Sequence, residues 1–282
     1  MDARLAETLL SPPVLLLLGL CIGSFLNVVI HRLPLILERA WRVESAQSLG
    51  VKIDEVPELT LARPRSRCPS CSQTIAWHQN IPVLSYLWLK GRCAGCATRI
   101  AARYPLIEIG TGLVFAAVGW RFGAVPVALL WCGFAAALVT LAAIDWDTTL
   151  LPDDLTLSLL WAGLVAAGLG WTLPLSDALW GAVAGYLSLW SVYWLFKLTT
   201  GKEGMGFGDF KLLAALGAWL GVKMILPVVL AASLIGAVIG LLMKLNSSLR
   251  EGRYVPFGPF LAGAGLVVML AGQPRVLGWL GW

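Results

Sequence analysis

Residues 124–154 read AVPVALLWCGFAAALVTLAAIDWDTTLLPDD: a 21-residue apolar run over 124–144, closed at once by Asp145, Asp147, Asp153 and Asp154. About 20 apolar residues is the length at which a helix crosses the hydrocarbon core of a bilayer. An ionisable group at the end of such a run is costly unless it faces a protein or water-filled interior, and there it usually serves a purpose. The stretch predicts an all-α, polytopic membrane protein with its chemistry at the ends of its spans.

Seven further apolar segments flank this one, at 14–30, 106–120, 155–170, 178–196, 210–221, 224–243 and 257–271. About eight transmembrane helices are therefore expected. The 210–221 segment is the weakest and leaves a re-entrant hairpin open. Of the 282 residues, 58% are hydrophobic and 13% charged, with a mean hydropathy of +0.79. Soluble domains carry roughly 25% charged residues. The first run has no basic leader and no small-residue cleavage site, which reads as a retained span.

Net charge is +5, but Lys and Arg gather at the flanks of apolar runs, where they set topology rather than bind nucleic acid. With the 31–104 segment placed inside, 17 of the 21 Lys/Arg are cytoplasmic. Arg4, Arg121, Lys223 and Arg275 remain outside. This asymmetry predicts an external N-terminus and puts the Asp145 and Asp209 loops on the cytoplasmic side with the large loop.

The 31–104 segment holds Cys68-Pro-Ser-Cys71 and Cys93-Ala-Gly-Cys96. Two such pairs at this separation match a four-thiolate zinc ribbon, a closed site that leaves the metal structural. A redox-active dithiol is the alternative. Arg63, Arg65 and Arg67 are better read as marking the cytoplasmic side than as a nucleic-acid surface. Cys21 and Cys132 lie inside spans and read as small buried side chains.

A second acid stands out in GMGFGDFKLL, residues 204–213, where Asp209 opens an apolar helix. Two carboxylates held together away from water can share one proton and activate a water molecule. Each has a plainer reading as a helix cap. Asp153 or Asp154, after Pro152, fits that role best, while Asp147 rivals Asp145 on spacing alone. Gly206 and Gly208 let another backbone approach Asp209 and are expected to form a substrate-positioning loop.

Taken together these motifs resemble bacterial type IV prepilin peptidases of the bifunctional leader peptidase/N-methyltransferase kind, a family of GxGD-type aspartic proteases. The likeness rests on Gly23-Ser24-Phe25-Leu26-Asn27-Val28 with Arg32 and Pro34, and on both cysteine pairs with Asn80-Ile81-Pro82 between them. It extends through Arg103-Tyr104-Pro105 with Glu108, Ile144-Asp145-x-Asp147 with Leu151-Pro152-Asp153, Gly206-x-Gly208-Asp209, and Pro256-Phe257-Gly258-Pro259.

The resemblance implies that Asp145 and Asp209 are catalytic, and it alone prefers Asp145 to Asp147. It implies cleavage of a short basic leader from prepilins and pseudopilins in the bacterial inner membrane. Methylation of the new N-terminus by S-adenosylmethionine follows, in service of type IV pili or type II secretion. The organisation expected is a first span over 1–30, a cytoplasmic four-cysteine, methyltransferase-associated loop over 31–104, and a peptidase bundle over 105–282. Glu108, an acid inside a span, is a methyltransferase candidate with Asn27 and Arg32; the plainer readings of the last two are an interhelical hydrogen bond and an interfacial anchor. A peptidase without methyltransferase activity and a proton- or cation-coupled transporter are the competing readings.

Overall fold

The structure, a computed structural model, describes residues 7–52, 59–245 and 255–281. Arg4, one of the four cations assigned to the outside, lies beyond these residues. The helices are α1 (Pro12–Leu49), α2 (Leu84–Trp88), α3 (Arg103–Phe122), α4 (Val127–Thr148), α5 (Asp153–Gly168), α6 (Leu175–Thr200), α7 (Phe207–Leu220), α8 (Ile225–Leu245), α9 (Gly258–Ala271) and α10 (Gln273–Trp279). Two isolated bridges replace any sheet among the described residues. The chain forms two compact units, Met1–Ala136 and Ala137–Trp282, with the boundary inside α4.

Each of the eight apolar segments forms a helix. By length and composition five can cross a membrane, or six if the pair α9 and α10, bent by 107°, is one span. The shortfall from eight comes from α5, α7 and α9, which have 16, 14 and 14 residues. At 1.5 Å per residue the last two are about 21 Å long, against a core of about 30 Å. For α7 the reason is its surroundings, because every residue from Leu212 to Leu220 is buried by protein. A helix wrapped in other helices need not match the bilayer. At the other extreme α1 runs 38 residues, through Pro34 and well past residue 30, ending at Gly50 in the left-handed conformation that favours glycine.

In the first unit α1 packs along α3. Gly19 and Gly23 present bare backbone to Gly112 and Glu108, whose Cα atoms would each lie 2.7 Å from an added Cβ. Cys21 points away from this seam and is exposed, a correction to its expected burial; Cys132 on α4 is buried. In the second unit α6 and α7 approach through Gly181 and Gly217, each pressed on the other's carbonyl. Small residues at a helix seam allow such approach where lipid supplies no hydrophobic drive between helices. Tyr193, Phe207 and Phe210 then pack as an aromatic cluster around the first turn of α7.

Candidate active site

Both predicted acids lie in the second unit, at helix ends. Asp145 falls in the last turn of α4 and is 5% exposed, whereas Asp147 is exposed. Burial thus separates two acids that spacing left equal. The helix stops just beyond, at Thr149 with a positive φ of 54°, and the extended Leu151-Pro152 pair follows. Asp145 Oδ2 accepts a hydrogen bond of 2.9 Å from the Gly258 N–H at the start of α9. A side chain at Gly258 would collide with that carboxylate, so the glycine is required for the contact.

Asp209 occupies the first turn of α7 and is 7% exposed. Gly206, not Asp209, is the N-cap. Asp209 is within electrostatic reach of Asp145. Asp145 is held by the Gly258 N–H, while the Asp209 N–H donates to the Gly206 carbonyl in the turn that opens α7. Gly206 is exposed beside Asp209, while Gly208 is pressed on Leu151, the buried residue that also lies against Gly258.

Sequence reasoning gave Gly258 no role, although a Gly-Pro step opening an apolar helix was a signal. It missed Lys211 as well, which carried none. Lys211 Nζ bonds both oxygens of Asp153 at 2.7 Å, tying α7 to the start of α5. The expectation that Asp153 or Asp154 caps α5 is corrected: Pro152 is the N-cap, and both acids lie in the first helical turn without a capping bond. They still favour the positive end of the helix dipole.

In the first unit the four cysteines converge, with all Sγ atoms within 4.8 Å of one another and none in a disulfide. The same turn is built twice. Cys68 N–H donates to Gln73 and Ser72 N–H to Cys68; Cys93 N–H donates to Thr98 and Ala97 N–H to Cys93, all at 2.9 Å. Ser72 and Ala97 occupy the same left-handed position, at φ 58° and 56°. Cys68 and Cys96 Sγ are 3.8 Å apart, the spacing of about 3.8 Å expected of sulfurs placed tetrahedrally about 2.3 Å from zinc. The donor set therefore fits zinc.

The thiols differ. Cys96 is pulled down to about 6, first by the Thr98 hydroxyl and then by its N–H. The N–H groups of Cys71 and Ser70 hold Cys68 below its ordinary value. For Cys71 the Gln73 N–H acts downward, but desolvation and the neighbouring sulfurs outweigh it and push the thiol up to about 11.

Asn27, Arg32 and Glu108 are all buried and all pin chain segments of this unit. Asn27 Nδ2 donates to the Tyr104 carbonyl across the helix seam at 3.1 Å. Arg32 donates to the carbonyls of Thr60, Leu61 and Pro64 at 2.9, 3.2 and 2.7 Å. Glu108 Oε2 accepts the Val83 N–H at 2.7 Å, and its carboxylate also bonds the Ser24 side chain. Val83 stands at φ 61°, ψ −48°, in a tight turn closed by Leu84 N–H on the Pro82 carbonyl. A β-branched residue there is strained, so Glu108 holds a turn that the chain would not favour alone.

Two buried acids, one closing a membrane-length helix and the other opening a short helix buried among its neighbours, define the class: a polytopic membrane protein with an aspartate-pair site. The comparisons narrow it. Residues 17–122 match the bacterial peptidase A24 N-terminal domain, and 132–241 match the type IV leader peptidase family. The chain is 50% identical to the prepilin leader peptidase/N-methyltransferase of Pseudomonas putida, over 91% of its own length and 89% of that protein's. Identity to the namesakes in Pseudomonas aeruginosa and Aeromonas salmonicida strain A449 is 48% and 51%, over 92% and 91% of this chain and 89% of each relative. No solved structure matches significantly. The chain belongs to the prepilin leader peptidase/N-methyltransferase family.

Proposed function

We propose that this protein removes the leader from prepilins and pseudopilins with Asp145 and Asp209 as its catalytic dyad, and then methylates the new N-terminal amine. The convergence of two buried acids, 64 positions apart in sequence, within electrostatic reach of each other carries the peptidase reading. Two close carboxylates hold one proton more readily than none, because like charges in a poorly solvated place repel. The ionised member takes a proton from water as the oxygen attacks the scissile carbonyl, and the protonated member donates a hydrogen bond to that carbonyl. The tetrahedral intermediate collapses with proton transfer to the leaving amine, and no acyl-enzyme forms. The exposed, side-chain-free Gly206 offers an extended substrate backbone a close path to Asp209.

S-adenosylmethionine is the second substrate and supplies the methyl group. Among the three candidates in the first unit, Asn27 and Arg32 already donate to backbone carbonyls. Glu108 is the one acid, and it retains acceptor capacity beyond the Val83 N–H. It is our choice for orienting the amine that is methylated. Cys68, Cys71, Cys93 and Cys96 would hold a structural zinc ion that shapes the 31–104 loop. The charge asymmetry of the sequence supports an inner-membrane topology with the N-terminus outside, and with the cysteine loop and both acid motifs facing the cytoplasm.

The test is product mass. The purified protein is incubated with a prepilin or a pseudopilin, with and without S-adenosylmethionine. Loss of the leader in both conditions and gain of one methyl only with the donor is the expected result. Cleavage without a methyl leaves a peptidase alone, and an unchanged mass refutes the hydrolytic reading.

A further inference from the structure

Seven Lys/Arg and no acid lie between Leu59 and Ile107. Zinc on four thiolates would leave two negative charges, which these cations exceed. In the same stretch Trp77, Leu84, Leu87 and Trp88 are 77%, 64%, 65% and 78% exposed. Leu84, Leu87 and Trp88 are spaced to share one face of α2, and the turn Trp77–Asn80 packs beside that helix. Large apolar side chains so open to water are a poor arrangement for a solvated loop.

Their depth follows from two anchors. Arg32 lies about 30 Å along α1 from Pro12, one hydrocarbon thickness, and clamps Thr60, Leu61 and Pro64 there. Gly23, about 13 Å back toward Pro12, packs on Glu108, whose carboxylate pins Val83. With α1 and α3 crossing the bilayer, α2 therefore starts on the lipid side of the Arg32 level. Lys90 and Arg92 follow it and are exposed.

We propose that residues 77–92 form an interfacial anchor. Trp77, Leu84, Leu87 and Trp88 lie at the acyl–headgroup boundary, and Lys90 and Arg92 engage anionic lipid headgroups. Tryptophan favours that boundary, and juxtamembrane cations are drawn to anionic lipid. A basic leader is a worse match, since this surface would repel it. The anchor would hold the paired cysteine turns at a fixed height on the membrane.

The experiment compares the full chain, loaded with zinc, in discs of phosphatidylcholine and in discs of equal parts phosphatidylcholine and phosphatidylglycerol. Hydrogen–deuterium exchange is read over residues 77–92. Exchange about tenfold slower in the anionic discs is expected. Leu84→Ser/Trp88→Ser should lose the protection and Lys90→Gln should weaken its dependence on lipid charge, with metal content unchanged in both. Equal exchange in the two disc types would overturn the proposal. Protection that arises only when a prepilin is added would also overturn it, assigning the face to substrate. Neither outcome depends on whether the protein cleaves or methylates.

Discussion

Replacing one hydrogen of Gly258 by a methyl group would drive carbon into the Asp145 carboxylate. Gly258→Ala should therefore cut leader cleavage by about 100-fold or more, the scale of loss when a reacting group is displaced by an ångström. The protein should still insert, and product formation by mass spectrometry checks both the direction and the size. Glu108→Gln keeps an acceptor for the Val83 N–H and removes only the charge. It should cleave normally and lose most methyl transfer, measured on a pre-cleaved substrate; undiminished transfer would discard Glu108. At this scale the sequence showed the acids but not what orients them. Nothing in it says that the Gly258 N–H meets Asp145 from 113 positions away, because that contact exists only once α4 and α9 have packed. Spacing likewise leaves Asp147 level with Asp145, and beyond the resemblance only burial separates them.

The elements were legible because apolarity is a local property, and all eight apolar segments became helices. Their partners were not. Hydropathy cannot tell a lipid-facing leucine from the buried Leu212, Leu213 and Leu216 of α7, so a 14-residue central helix reads like a short span. Its seam with α6 is set by Gly181 and Gly217, where backbone meets backbone. Gly217→Val should cost about 1–3 kcal/mol or more as overpacking. A lower unfolding temperature in detergent, with leader cleavage reduced as the Asp209 turn shifts, is the expected readout. The α1 extension was missed for the opposite reason: over residues 38–49 the apolar Ala40, Trp41, Val43, Ala46 and Leu49 are scattered among polar residues and none is buried, so no continuous apolar run marked them as helix.

Across the whole molecule the paired acids belong to one unit and the four cysteines to the other. If the 31–104 loop serves methylation, stripping the metal with a chelator should abolish methyl transfer while leader cleavage persists, and added zinc should restore it. Zinc binds thiolates, so affinity should rise with pH. It should fall below about pH 6 as Cys96 takes up its proton, and continue to rise toward about pH 11 as Cys71 loses one. Proton release on adding zinc at neutral pH, followed in weak buffer, tests the sign. Cleavage should show a bell-shaped pH profile, since the dyad works with a single proton.

The most direct measurement is cleavage of a prepilin by purified, membrane-inserted Asp145→Asn and Asp209→Asn proteins. Each should yield no leader-free product over a period in which the unaltered protein finishes the reaction. Near-normal processing by either variant would contradict the proposed dyad.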